Sequence, residues 1–395
     1  MAFHQDYSDH QQIIAELHRF KTKPEILASA AYQKQRDYLT DLLATPQVFP
    51  APNAQPRINN FLRLAHWNIE KGKHLDEVIA TFRHHPILRE ADLISINEAD
   101  VGMNRSAQRF VARELGEALG MHVAFAPCYL EFSKGYGDDL TMPGENTMAL
   151  QGNAILSRYE LIHPRVIQLP MCYDHFEHVE KRIGNRNALA VEIELGGKRL
   201  SFVTTHLEVR NAPACRAKQI AAIIAELEKP DTPQAAIIAG DFNSNTFARG
   251  GMRQALGGLM RMIMSDTDEL RQSLVAPQSR EPLFTLLRQH AFTEVDFNSD
   301  DVTCYVPLKI LEDSSKLPGF FATAINRQMA RYNGQLDFRL DWMIGRAVQS
   351  LSDQEVIDSQ TNIASLRPQT IAGLRKQDGG QITDHDPITV DLRLS

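Results

Sequence analysis

Residues 235–243 read Ala-Ala-Ile-Ile-Ala-Gly-Asp-Phe-Asn. An apolar run followed by Gly-Asp-Phe-Asn describes a buried strand that delivers polar side chains at its end. Alternate residues of an extended chain share a face, so Asp241 and Asn243 lie on one side and Phe242 turns into the core. Gly240 is read as allowing close approach of backbone and substrate. The same construction recurs along the chain. Leu62-Arg-Leu-Ala-His-Trp-Asn68, Asp92-Leu-Ile-Ser-Ile-Asn-Glu98, Leu200-Ser-Phe-Val-Thr-Thr-His206 and Leu340-Asp-Trp-Met-Ile344 each carry a metal-type or acid/base residue at one end. Thr383-Asp-His-Asp-Pro-Ile388 leads into a last strand-like stretch, Ile388-Thr-Val-Asp-Leu392. Strands that finish at one sheet edge bring their terminal polar residues together, and residues far apart in sequence then build one hard-metal site.

The chain has 395 residues, 43% hydrophobic and 23% charged, with a formal net charge of -7. That is a globular composition, large enough for one big or two modest domains. The acidic balance counts against a protein that grips nucleic acid through many phosphate contacts. Cys128, Cys172, Cys215 and Cys304 are scattered, with no Cys-x-x-Cys pair, and are expected to be reduced and mostly buried. The first ten residues have no basic segment followed by an apolar run, and no stretch approaches the ~20 apolar residues of a membrane span. A soluble cytoplasmic protein is the expectation.

Residues 1–60 differ from the rest. Ile13, Ile14, Leu17 and Phe20 recur at helical spacing, and a second helix is predicted from Glu25 to Leu43. Pro46, Pro50, Pro52 and Pro56 then break regular structure. This segment reads as a helical N-terminal arm and linker, leaving 61–395 as the main domain. From Leu62 strands and helices alternate, with helices over His74–His84, Ser106–Leu119 (Ser106 as N-cap, Gly120 as stop) and Pro213–Leu227. Phe284–His290 reads as helical too. Residues 130–150 read as a long surface loop, and substrate selection is assigned to 130–150, 165–185 and 298–335; within the last, the apolar Leu317–Ile325 stretch could touch lipid or a base, against the plainer reading of core or helix.

The motifs HWNIEKG, INEAD, GNAILSR, TTHLE, GDFN, LDWMI and TDHDPI occur in the order used by the endonuclease/exonuclease/phosphatase superfamily, which the chain resembles over residues 61–395. The resemblance implies a DNase I-like fold, a four-layer α/β sandwich of two packed mixed sheets flanked by helices. It implies a Mg²⁺- or Mn²⁺-dependent phosphoesterase with Asn68, Glu98 and Asp384 at the metal. Asp241 would orient or deprotonate the attacking water, and Asn243 would hold that water or a phosphate oxygen. His206 would donate to a phosphoryl oxygen or assist the leaving group. His385 would contact the phosphate, with Asp341 holding its far ring nitrogen. Thr383 stands where the family usually has Ser, and keeps the hydroxyl. Whether Asp241 or His385 takes the water proton is open at this point.

Arg182 and Arg186 are candidate phosphate contacts, against the plainer reading of a solvated loop. Asp386 reads as solvated, and His84, His85, His175 and His178 as surface residues without motif context. No nucleophilic Ser or Cys falls in the set, so in-line attack by water is expected. The loops around Lys134 and Asp174 are acidic or mixed in charge, which disfavours a nuclease as against a hydrolase of other phosphate esters. An endonuclease or exonuclease acting on DNA or RNA is the alternative activity, and a catalytically silent binding protein the alternative class.

Overall fold

The strand Leu62–Asn68 sends Leu62 and Leu64 to one face and Ala65 and Trp67 to the other, and both faces are buried. A strand covered on both sides needs a layer above and a layer below, and the whole architecture follows from that requirement. The computed structural model describes residues 8–135, 137–177, 180–244, 266–307, 335–353 and 355–394.

Three helices, α1 (Ser8–Leu17), α2 (Lys23–Ala28) and α3 (Ala30–Ala44), come first. Then follow β1 (Gln47–Phe49), β2 (Leu62–Asn68), α4 (Leu75–His84), β3 (Leu93–Val101), α5 (Val111–Leu119), β4 (His122–Glu131) and β5 (Leu150–Ser157). The middle of the chain gives β6 (Ile162–Gln168), β7 (Arg182–Gly184), β8 (Asn187–Leu195), β9 (Lys198–His206), α6 (Pro213–Leu227) and β10 (Ala236–Asp241). The last part gives α7 (Thr267–Val275), α8 (Pro282–Gln289), β11 (Cys304–Pro307), β12 (Gln335–Phe338) and β13 (Asp341–Arg346). Two short strands, β14 (Val348–Ser350) and β15 (Gln369–Thr370), and the longer β16 (Ile388–Leu394) close the order.

One sheet runs β1-β4-β5-β3-β2-β16-β14, with β7 added to β4 and β15 to β16. The other runs β13-β10-β9-β8-β6, and β11 pairs with β12 as a separate ribbon. Both sheets are mixed: β2 is parallel to β3, β9 is parallel to β10, and the other pairings are antiparallel. The sheets face each other across Leu62, Leu64, Leu93, Phe202, Ile237 and Met343. The first sheet's outer face packs on α1, α3, α4 and α5 through Trp67, Ile94, Val78 and Leu115. The second sheet's outer face packs on α6 and α8 through Val203, Ile238, Ile224 and Phe284. The protein is thus the expected four-layer α/β sandwich, helices outside and two sheets within.

Local expectations fare unevenly. Gly120 adopts φ 64° and closes α5, but the helix begins at Val111. Ser106 belongs instead to a single 3₁₀ turn, Asn104–Ser106, which Ala107 and Gln108 terminate with positive φ. The predicted helix from Glu25 to Leu43 is two helices, because Ser29 is extended and its hydroxyl accepts the Tyr32 N–H to cap α3. The proline-rich linker holds β1, which pairs Val48 with Ala124 and joins the arm to the main sheet. The Leu317–Ile325 stretch lies outside the described residues, as does most of the region from 298 to 335.

The cysteines correct the sequence reading. Cys172 and Cys215 form a disulfide between the segment after β6 and the first turn of α6, while Cys128 and Cys304 are free and buried. No Cys-x-x-Cys spacing announces that pair, because the two residues meet only through the packing of α6 beside β6. No described helix is long and apolar enough to cross a membrane.

Gly240 also differs from expectation. A Cβ there would stand 1.8 Å from the carbonyl oxygen of Thr205 on the parallel neighbour β9. The close approach is therefore strand to strand rather than backbone to substrate. Gly240→Ala is expected to lower the unfolding free energy by about 3 kcal/mol, near the upper end of overpacking costs, read from the denaturant midpoint. A midpoint equal to the wild type would contradict this.

Candidate active site

Along the inner face of both sheets, apolar side chains give way to polar ones toward the same end. Leu62 and Leu64 are followed by His66 and Asn68, Leu93 by Ser95 and Asn97, and Leu200 and Phe202 by Thr204 and His206. Ile237 and Ala239 are followed by Asp241, and on the antiparallel β13 Asp341 precedes Met343. The register completes the gathering: Asp241 pairs with His206 on one side and with Asp341 on the other.

Glu98 reaches this cluster by a different device. Simple alternation from Ile94 and Ile96 would turn it outward into the helix-facing core. The register between β3 and β5 slips between Ile96 and Ala99, and Glu98 has φ 59°. After this bulge the outward parity changes, with Ala99 and Val101 in the helix-facing core. The bulge thus re-aims the carboxylate into the cavity, and a non-glycine residue held at positive φ is the kind of strain found at functional sites.

Asn68, Glu98, Arg182, Arg186, His206, Asp241, Asn243, Asp384 and His385 line one cavity of about 230 Å³. Asp341 lies behind His385, and is 1% exposed. One oxygen of Asp241 meets three groups: Asn68 Nδ2 donates to it at 3.1 Å, His206 Nε2 is 3.3 Å away and His385 Nε2 3.8 Å. Its other oxygen accepts the Asn243 N–H at 2.8 Å. The Asn243 side chain donates to the Leu207 carbonyl at 2.9 Å. Burial raises the Asp241 carboxyl, to about 7; the charge of His385 opposes the rise and that of Asp341 adds to it.

His385 Nδ1 lies 2.7 Å from Asp341 Oδ2, the same oxygen to which Thr303 donates at 2.6 Å. Asp341 Oδ1 lies 3.0 Å from His66 Nε2. A carboxylate between two imidazoles and a hydroxyl is held far below its ordinary range despite burial, and it raises His385 well above the usual imidazole value. His206 goes the other way: burial, then the charges of Arg186 and His385, keep it neutral.

The cationic wall is uneven. Arg182 is committed, donating from Nε to Glu131 at 3.2 Å and lying 2.6 Å from Glu180 through Nη2. Arg186 is 6% exposed and stacks over Tyr129 at 5.9 Å; its Nε has no hydrogen-bond partner among the described residues, while the charges of Glu208 and Glu98 offset its burial. Burial alone would raise the Glu98 carboxyl, but Lys71, Arg182 and Arg186 together hold it below its ordinary value. No described side chain hydrogen-bonds that carboxylate; its nearest ion-pair contact is His206 Nδ1 at 3.9 Å.

Several residues escaped the sequence reading. His66 shares the parity of Asn68, which is a signal that was present. Lys71 follows Asn68 by one short turn and lines the cavity. His175, expected at the surface, is buried in the cavity wall with Nε2 2.9 Å from Glu208. Asp386, expected to be solvated, is buried and its carboxyl is pushed up by that burial. His84 is exposed and His85 partly so, and His178 lies outside the described residues.

Residues 65–344, well over half of the chain, match the Endonuclease/Exonuclease/phosphatase family. No curated protein sequence matches significantly. Among solved structures, an endonuclease/exonuclease/phosphatase from Beutenbergia cavernae is similar at 14% identity and TM-score 0.47, over 85% of this chain and 72% of that one. One from Bacteroides vulgatus gives 14% and 0.45 over 85% and 100%. The catalytic domain of human nocturnin with bound sulfate gives 14% and 0.42 over 89% and 98%.

Proposed function

The chain belongs to the endonuclease/exonuclease/phosphatase family, and from that membership we propose that it is a divalent-metal-dependent hydrolase of phosphate esters, with water attacking phosphorus in line. The observation that carries the reading is Arg186. A buried guanidinium whose Nε has no hydrogen-bond partner among the described residues, and which feels the Glu98 and Glu208 charges only through space, is suited to receive an anion. It shares its cavity with Asn68, Glu98 and Asp384, whose side-chain oxygens are the donors a hard cation takes.

The donor set fits Mg²⁺ or Mn²⁺. Asn68, Glu98 and Asp384 would hold the ion, and the ion would neutralise phosphate charge. The remaining work falls to the chain. Asp241, with a carboxyl raised toward neutrality, is suited to take the water proton. Asn243 holds that water or a phosphoryl oxygen. His385, kept protonated by Asp341, is suited to donate to a phosphoryl oxygen, so Asp241 rather than His385 is the base. Neutral His206 donates to another oxygen or to the leaving group. Arg186 is the phosphate contact, whereas Arg182 is held by Glu131 and Glu180 and supports it.

The division into an arm at 1–60 and a catalytic domain at 61–395 is part of this proposal. A cytoplasmic site of action, expected from the sequence, stands against the Cys172–Cys215 disulfide, a bond that persists mainly in oxidising compartments.

The test is cleavage of bis-p-nitrophenyl phosphate and p-nitrophenyl phosphate with Mg²⁺ or Mn²⁺, against the same assay in chelator. Activity should disappear in chelator and return with either ion, and full activity in chelator would sink the idea. Arg186→Ala should lower kcat/KM by roughly 10–10²-fold, the loss of one charge-assisted hydrogen bond. An unchanged kcat/KM would remove Arg186 from the site.

A further inference from the structure

One cavity residue has no part in the chemistry above. Cys304, at the start of β11, is 2% exposed and carries a free thiol. Its sulfur, a carboxylate oxygen of Asp384 and a ring nitrogen of His385 all lie within 4.8 Å of one another. The backbone fixes this grouping. Cys304 forms an isolated antiparallel bridge with His385, the Tyr305 N–H donates to the Asp384 carbonyl at 3.0 Å, and the Asp386 N–H donates to the Thr303 carbonyl at 2.8 Å. Asp341 occupies His385 Nδ1, so Nε2 is the nitrogen left for a ligand.

We propose that Cys304, Asp384 and His385 form a second, softer cation site that takes a thiophilic divalent ion, Zn²⁺ or Cd²⁺, and blocks the catalytic centre when filled. Sulfur, nitrogen and oxygen donors with one water complete the four-coordinate shell such ions prefer. Mg²⁺ and Mn²⁺ favour oxygen and gain little from a thiol, so the site discriminates by softness. On binding, bonds form from the ion to sulfur and to Nε2, and the thiol proton and the Nε2 proton leave to solvent. No electron is transferred. Blocking follows because the ion takes His385 and Asp384, and that half of the inference rests on the phosphoesterase reading. The binding half does not.

The full-length protein in excess Mg²⁺ is titrated with Cd²⁺ and followed by the ultraviolet sulfur-to-cadmium charge-transfer band and by hydrolysis of bis-p-nitrophenyl phosphate. The remaining thiol, Cys128, provides a control, since Cys172 and Cys215 are joined. The band and the inhibition should appear together in the wild type and in Cys128→Ser. In Cys304→Ser the band should vanish, and half-inhibition, relative to that variant's own rate, should need at least roughly ten-fold more Cd²⁺. Cadmium-113 resonance of the wild type, which separates one-sulfur from all-oxygen coordination, gives the same answer without a variant. A band that survives in Cys304→Ser, or an all-oxygen resonance, overturns the site. A band without inhibition overturns the blocking role. A band in a protein that hydrolyses no phosphate ester leaves the site standing and overturns the functional reading together with the block.

Discussion

Replacing His385 by alanine is expected to lower turnover by roughly 10²–10⁴-fold, the range for losing a positioned acid or base, while the protein remains folded. The imidazole is the link between Asp341, at 2.7 Å, and the Asp241 end of the cavity, at 3.8 Å. In the proposed mechanism it is the protonated donor to the phosphoryl oxygen, and alanine removes that donor. The fold survives because the Asp341 carboxylate keeps two other partners, His66 at 3.0 Å and Thr303 at 2.6 Å. Asp341→Asn should cost less, since His385 stays in place. It should still cost something, because one amide oxygen cannot accept from both imidazoles and the amide N–H then faces one of them. Steady-state kinetics beside circular-dichroism melting checks both variants. Near-wild-type turnover in His385→Ala would remove this residue from the mechanism.

Glu98→Gln is expected to raise the Mg²⁺ concentration needed for half-maximal activity by at least roughly 10²-fold, beyond the 10–10²-fold typical of residues that only support a ligand. Glutamine keeps the size of the side chain, so the β3 bulge and its positive φ have no steric reason to change. What disappears is the charge, beside Lys71, Arg182 and Arg186, whose joint field holds that carboxylate ionised. Metal binding by calorimetry and turnover against Mg²⁺ concentration should move together. Affinity that is unchanged while turnover falls would assign Glu98 to another task.

The motif residues Asn68, Glu98, His206, Asp241, Asn243, Asp384 and His385 were nameable from the sequence, because the first five stand at or just beyond the end of a short apolar run, Asp384 and His385 stand just before one, and all lie in motifs that resemble those of the family. Their common cavity was not. Glu98 shows the limit most clearly: alternation assigns it to the wrong face, and only the slipped pairing with β5 turns it inward. Arg182 and Arg186 looked equivalent in a loop, and Glu131 and Glu180, brought close by β4 and the loop before β7, make them different. His175 looked like a surface histidine, since nothing near it in sequence foretells Glu208 across the cavity wall.

What the sequence determined by itself was periodicity and its interruptions: apolar alternation sets the strands, the polar residue at each end sets the kind of chemistry, and both are local. What only the tertiary structure decided was partnership. The disulfide of Cys172 with Cys215, the two imidazoles on Asp341, the stacking of Arg186 on Tyr129 and the collision that requires Gly240 all join residues from separate strands, helices or loops. Such contacts depend on sheet register and layer packing, which sum many weak interactions over the whole chain, so no short stretch of sequence contains them.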